Sequence, residues 1–146
     1  DLVFNTATET YVFGSSAAPD DWWTISISQK DGKFVRALIP KEDYLGYSIQ
    51  PLELEFLKTN YVQAFQAGEN HGGKEFRKAH KNVEITLNLF QGPPKDFLWW
   101  NIEYKALEGG DLRIRVNANT GEAVDDQGNP LPPGQSPTQP TTKPQP

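Results

Sequence analysis

Two stretches of the chain repeat one pattern: WWTISISQKDGKFVRALI at residues 22–39 and WWNIEYKALEGGDLRIRV at residues 99–116. They align without a gap at an offset of 77 residues. The residues identical in both copies are Trp22 and Trp99, Trp23 and Trp100, Ile25 and Ile102, Gly32 and Gly109, and Arg36 and Arg113. Such a repeat predicts two copies of one folding unit.

Each copy predicts a β-hairpin, because apolar side chains alternate with polar ones on both sides of a glycine-containing turn. The turns contain Asp31-Gly32 and Gly109-Gly110, where a positive φ costs little. Alternation predicts one buried face for each hairpin. The side chains expected on the buried faces are Trp23, Ile25, Ile27, Val35, Ala37 and Ile39, and then Trp100, Ile102, Tyr104, Leu112, Ile114 and Val116.

The rest of the chain adds helices and further strands. Thr6 and Glu9 have capping-box spacing, which predicts a short helix ending near Gly14. After the first hairpin, the pattern predicts a strand over residues 52–56 and then a helix that is capped by Thr59 and runs to about Asn70. Gly72-Gly73 is expected to break this helix. A helical turn over residues 74–80 and a strand over residues 83–89 are expected to follow. The expected fold is α+β, an antiparallel sheet with helices packed on one face, and a tandem arrangement of the two repeats is an open alternative.

Three segments are expected. Residues 1–58 form a degenerate first repeat and residues 59–124 a second one. Residues 125–146 hold seven of the twelve prolines and almost no large apolar side chains. Such a composition cannot bury enough surface to offset its ordering entropy, so it predicts a disordered Pro/Thr-rich tail.

Composition excludes several classes of function. The formal net charge is -5, and the sequence shows no basic stripe of the kind that binds nucleic acid. The chain has no cysteine, which excludes disulfides, thiol catalysis and cysteine-ligated metals. No apolar run approaches the ~20 residues of a membrane span. The chain also lacks methionine, so we expect a leader or another segment to have preceded Asp1.

No motif predicts catalysis, a metal site or a cofactor. His71 and His80 lie nine positions apart, which fits no local metal-binding motif. No serine lies in a Gly-x-Ser-x-Gly elbow, and there is no glycine-rich phosphate loop. Outward carboxylates such as Glu103, opposite Arg113, are typical of cross-strand pairs. We therefore expect a protein that is not an enzyme.

Residues 59–124 resemble the PepSY family. The closing segment RVNANTGE at residues 115–122 is similar to the family's last strand and its D-A-x-T-G-E turn, with Asn117 where the family commonly has Asp. The resemblance implies a helix on a three- or four-stranded antiparallel sheet and residence outside the cytoplasm, often as a lipoprotein. It also implies regulation or inhibition of proteases, or binding to envelope components, without catalytic residues. With the first copy as a degenerate repeat, the whole resembles the tandem architecture of β-lactamase inhibitor proteins.

Alternation also predicts a binding face. If Trp23 and Trp100 face the helices, then Trp22 and Trp99 point to the opposite side of the sheet. The candidate binding face consists of Trp22, Trp99, Arg36, Arg113, Asn101 and Glu103. Tryptophan and arginine are enriched at interface hot spots. The alternative is that these rings complete a second core layer or are covered by proline-rich loops.

The main functional hypothesis is a non-catalytic, extracytoplasmic binding or regulatory module that inhibits a protease or recognises an envelope component. It would bind through the outer face or through an exposed edge strand. A second hypothesis is a structural or assembly lipoprotein that pairs with copies of itself. A third is an enzyme whose site is assembled in space and leaves no sequence motif.

Overall fold

The computed structural model describes residues 8–43 and 49–137. They belong to two compact units that divide between residues 48 and 49. Each unit contains one antiparallel sheet, and the C-terminal unit adds helices, so the α+β class is confirmed. The expected boundary after residue 58 is corrected, because residues 49–58 belong to the C-terminal unit. There, the Lys58 N–H donates to the carbonyl oxygen of Ala118 over 3.0 Å.

The N-terminal unit is a sheet of three strands in the order β1-β2-β3. The strands are β1, Thr8–Ser15; β2, Ala18–Ser28; and β3, Phe34–Pro40. The helix expected from the Thr6 and Glu9 spacing is wrong, because residues 8–15 pair with β2 (Thr6 itself lies outside the described residues). Aromatic and β-branched residues at 10–13 favour a strand, and cross-strand pairing outweighs one local cap.

Helices of the C-terminal unit precede its sheet. Residues 54–56 form a 3-10 turn, which is closed by a 3.1 Å hydrogen bond from Leu57 N–H to Leu54 O. The strand expected over residues 52–56 is therefore wrong. Helix α1 spans Tyr61–Gly68, and its N-cap is Asn60 rather than Thr59. The helical path continues through a wide turn at Glu69–Gly73 into α2, Lys74–Ala79. The predicted break is confirmed, because Gly72 has a φ of 116°.

The C-terminal sheet has the order β4-β5-β6-β7. Its strands are β4, Val83–Gly92; β5, Phe97–Ala106; β6, Asp111–Asn117; and β7, Ala123–Val124. The core lies between this sheet and α1 and consists of Ala64, Ile102, Tyr104, Leu112, Ile114, Val116 and Ala123. Gly68 allows the close approach of α1, since a Cβ there would lie 2.8 Å from Cδ1 of Ile102.

Both repeated segments form hairpins, as predicted, but their registers differ by one residue. Ile25 pairs with Arg36 in the first hairpin, whereas Ile102 pairs with Ile114 in the second. The cause is the turn: residues 29–32 lie between the hydrogen-bonded Ser28 and Lys33, but only residues 107–109 lie between Ala106 and Gly110.

A one-residue change of register moves a strand's side chains to the other face of the sheet. The sequence predicted that the first hairpin would have its apolar residues on one face. The structure shows that this prediction is wrong. Trp23, Ile25 and Ile27 lie on one face, while Val35, Ala37 and Ile39 share the opposite face with Trp22. Within residues 8–43 the unit contains no helix to cover either face.

Residues after β7 pack on the C-terminal unit, which corrects the expected start of the tail at residue 125. Val124 forms a bridge with Pro130, and the Leu131 N–H donates to the Ala123 carbonyl oxygen over 2.8 Å. Leu131 also packs against the core, and Gly128 is buried. Residues 138–146 of the predicted tail lie outside the described residues.

A buried carboxylate joins the helices to the sheet. The Glu69 side chain is 9% exposed and accepts hydrogen bonds from the Tyr104 hydroxyl over 3.0 Å and from Arg77 Nε over 3.1 Å. Arg77 Nη2 contacts the other carboxylate oxygen. Burial, followed by the Glu69 charge, raises the pKa of Tyr104 well above its usual range, so its hydroxyl stays a donor.

Substitution of Arg77 by methionine should lower the free energy of unfolding by about 3 kcal/mol, because the Glu69 carboxylate would stay buried without its cation. Urea unfolding of the purified chain measures this loss. The control is Arg113→Met, which removes a side chain that is 75% exposed and should cost less than about 1 kcal/mol. Equal losses in the two variants would contradict the role given to Glu69.

Candidate functional site

The outer face of the C-terminal sheet, which we define as the side opposite α1, carries polar side chains in rows across β4, β5 and β6. Register alone fixes these rows, since directly paired residues point to the same side. The rows are Thr86–Glu103–Arg113, Asn88–Asn101–Arg115 and Phe90–Trp99–Asn117. The face therefore changes from charged to aromatic along the strands.

Trp99 lies beneath this face and is fully buried, so it is not part of an exposed binding surface. Its indole N–H donates to the carbonyl oxygens of Gly92 and Pro94, over 3.0 and 3.2 Å. Gly128 closes over the ring, since a Cβ there would lie 3.4 Å from Cη2 of Trp99. Trp99 thus belongs to a second core layer covered by a proline-containing loop, the alternative that the sequence left open.

The tryptophan and arginine of the first repeat are also placed differently from the prediction. Trp22 is half-buried beside Gly14, and the Lys41 ammonium lies 4.4 Å from its ring centroid. Arg36 lies on the opposite face of the N-terminal sheet, 4.9 Å from the Trp23 ring centroid. Trp22 and Arg36 therefore share no surface.

Three predicted residues, Asn101, Glu103 and Arg113, do share the outer face. The expected cross-strand pair is confirmed, because Arg113 Nη2 lies 3.0 Å from Glu103 Oε1. Arg113 also lies 3.7 Å from Asp111. Exposed pairs of this kind contribute little to stability.

Sequence reasoning missed Arg115. Its guanidinium lies 5.8 Å from the Phe90 ring centroid and 5.9 Å from that of Trp99, and its Nε donates to Asn101 Oδ1 over 3.2 Å. Burial lowers the pKa of Arg115, and the charge of Asp126 opposes this effect. Alternation along β6 places Arg115 on the outer face together with Asn117. The alternation of the strand was therefore the sequence signal that could have identified Arg115 as a residue of this face.

The outer edge of β4, which pairs with no other strand in residues 8–43 and 49–137, is the second feature of the unit that is suited to binding. This strand is ten residues long, lies at the end of the sheet, and pairs with β5 without any register shift. Glu84 is its one charged residue, and it contains no proline. Charges, prolines and bulges are the usual protections of an edge strand, so β4 is a poorly protected edge.

Two other kinds of site are absent from the described residues. No group of three or more His, Asp or Glu side chains in residues 8–43 and 49–137 could hold a metal ion. Among the helices described, none is long and apolar enough to cross a membrane.

Comparison with known proteins found no matching family model, no matching curated protein and no matching solved structure.

Alanine at Trp99 should lower the free energy of unfolding by about 3–5 kcal/mol, because it leaves a cavity and two unpaired carbonyl groups. Chemical denaturation measures the change. Phe97→Ala is the control, since this ring is 46% exposed and its loss should cost about 1 kcal/mol. A Trp99→Ala chain as stable as the control variant would contradict the second core layer.

Proposed function

We propose that the protein is a non-catalytic binding module that takes up an extended peptide segment of a protein partner along the edge of β4. The observation that carries the proposal is the long, unbroken and poorly protected edge of this strand. An extended peptide can add to such an edge through main-chain hydrogen bonds, with alternate side chains giving specificity.

Antiparallel geometry identifies the backbone groups that are free to pair. Leu107 N–H donates to Asn82 O just before β4, which makes residues 82 and 107 a hydrogen-bonded pair. Hydrogen-bonded and non-bonded pairs alternate along an antiparallel ladder. The even-numbered residues of β4 therefore bond to β5, and the N–H and C=O groups of Val83, Ile85, Leu87 and Leu89 point away from it.

The side chains of the same residues would contact the added segment. Val83, Ile85, Leu87 and Leu89 lie on the core side of the sheet but are only half-buried. A peptide paired with β4 would place every second side chain beside this apolar row. The expected partner segment is therefore extended, with apolar residues at alternate positions.

Other edges are less suited to peptide addition. The pairing of β1 is irregular between Phe13 and Ser15, and β3 ends at Pro40. The last strand, β7, has two residues and is bridged by Pro130. Such features are typical of protected edges. Because β4 has none of them, it is the edge best suited to peptide addition.

The PepSY resemblance of residues 59–124 supports a setting for this activity. It favours residence outside the cytoplasm, with a protease or an envelope protein as the owner of the extended segment. Addition of a strand to β4 would suit a regulator that holds a flexible segment of a protease. The proposed partner is thus a protein, and the proposed role is regulatory.

Proline at position 87 should weaken peptide binding by about tenfold, because it removes an outward N–H and places a ring against the incoming strand. The probe is a fluorescent ten-residue peptide of alternating threonine and valine with added terminal lysines, followed by fluorescence anisotropy. The matched control is Leu87→Ala, which loses the side chain but keeps the N–H and should bind far more tightly than Leu87→Pro.

A second probe, N-methylated at alternate residues, should fail to bind, since it lacks the donors that pair with β4. Circular dichroism verifies that both variants are folded. The proposal would be overturned if the unmethylated peptide showed no saturable binding, or if the Leu87→Pro and Leu87→Ala chains bound it equally.

Self-association is the second candidate function. The observation that favours it is the face of the N-terminal sheet that carries Trp23, on which large apolar side chains are exposed: Tyr11 at 47%, Phe13 at 49%, Phe34 at 68% and Leu38 at 45%. Exposed apolar patches commonly mark interaction sites. Light scattering separates the candidates, because a stable dimer dispersed by Phe34→Ser would favour assembly over peptide capture.

A further inference from the structure

Unlike Arg77 and Arg113, Arg115 forms no ion pair with the part of the chain that the structure describes. Arg77 contacts Glu69, and Arg113 contacts Glu103 and Asp111. Across the described part of the chain, no carboxylate oxygen lies within 4.0 Å of the Arg115 side chain. Asp126 acts on it only at longer range.

The surroundings of Arg115 hold it in place and partly remove its water. Two aromatic rings, Phe90 and Trp99, lie within 6 Å of the guanidinium, and Asn101 accepts its Nε–H. Arg115 is half-buried on the outer face of the sheet. A cation in such a position has lost solvation that no ion pair restores, which favours binding of an external anion.

We propose that Arg115 is the centre of a carboxylate-binding site on the outer face of the C-terminal sheet. With Nε engaged by Asn101, the terminal amino groups of the guanidinium are the donors for the ligand, and a planar carboxylate matches their spacing. Asn101, which lies between Arg115 and Asn88 in the same row across the strands, fixes the orientation of the guanidinium.

This site is independent of peptide addition at β4. Arg115 lies on β6, and β5 separates that strand from the β4 edge. The ligand approaches the face of the sheet rather than its edge, so loss of one activity leaves the other intact. The carboxylate could belong to a small organic acid or to an acidic residue of a protein segment.

Titration with sodium acetate, at an ionic strength held constant with sodium chloride, tests the proposal by nuclear magnetic resonance. The Arg115 Nε–H signal and the Asn101 side-chain amide signals should move along a saturating curve. Arg115→Gln should abolish the movement at Asn101, and Arg115→Lys should weaken acetate binding by about tenfold, because a point charge replaces the planar fork.

Lys105→Gln is the matched control, since it removes an exposed cation from the same face and should leave the Asn101 response unchanged. N-acetyl-aspartate N-methylamide distinguishes the two sources of the carboxylate. If it binds more tightly than acetate, the ligand is an acidic residue of a protein segment. If the two compounds bind equally, the ligand is a small organic acid. The proposal is overturned if the signals do not saturate, or if Lys105→Gln abolishes the response as fully as Arg115→Gln does.

Discussion

Strand register is the constraint on which the rest of this structure depends. In an antiparallel sheet each side chain is assigned to a face by the residue opposite it, and the turn sets that pairing. The three-residue connection at 107–109 pairs Ile102 with Ile114 and thereby collects the apolar residues of β5 and β6 beneath α1. The longer connection at 29–32 splits the apolar residues of β2 and β3 between two faces.

The C-terminal unit uses this register to build two layers around one sheet. In the first layer, Tyr104 and its neighbours face α1, and the Tyr104 hydroxyl donates to Glu69, which pairs with Arg77. In the second layer, on the other side of the sheet, Trp99 is covered by Gly128 and donates to the carbonyl oxygens of Gly92 and Pro94. These layers hold β5 and β6 from both sides. Two features of the sheet lie outside these layers: the β4 edge, which has no strand partner among the described residues, and the polar outer face around Arg115.

Much of this architecture was accessible from the sequence, because local patterns are strong where one face is buried. The two hairpins, the helix near residues 60–70, its break at Gly72 and the strand starting at Val83 were predicted from alternation and turn residues. The candidate site was predicted only in part. Asn101, Glu103 and Arg113 share a face as expected, but whether they bind a partner stays a prediction.

The remaining errors have one physical origin, the contribution of contacts distant in sequence. The capping pattern of Thr6 and Glu9 predicted a helix, whereas residues 8–15 pair with β2, and Leu54 lies in a turn instead of a strand. Alternation assigned Trp99 to the candidate binding face, but the segment that covers it includes Gly128, which composition had assigned to a tail. Arg115 was missed because its isolation from carboxylates depends on the positions of all its neighbours.

Amide hydrogen exchange along β4 tests the central claim, that this strand presents a free edge, most directly. The account predicts alternation: slow exchange at Glu84, Thr86 and Asn88, whose N–H groups bond to β5, and fast exchange at Val83, Ile85 and Leu87, whose N–H groups face solvent. Uniform protection along the strand would show that the edge is already covered. Uniformly fast exchange would show that β4 is not paired as described, and either result would contradict the account.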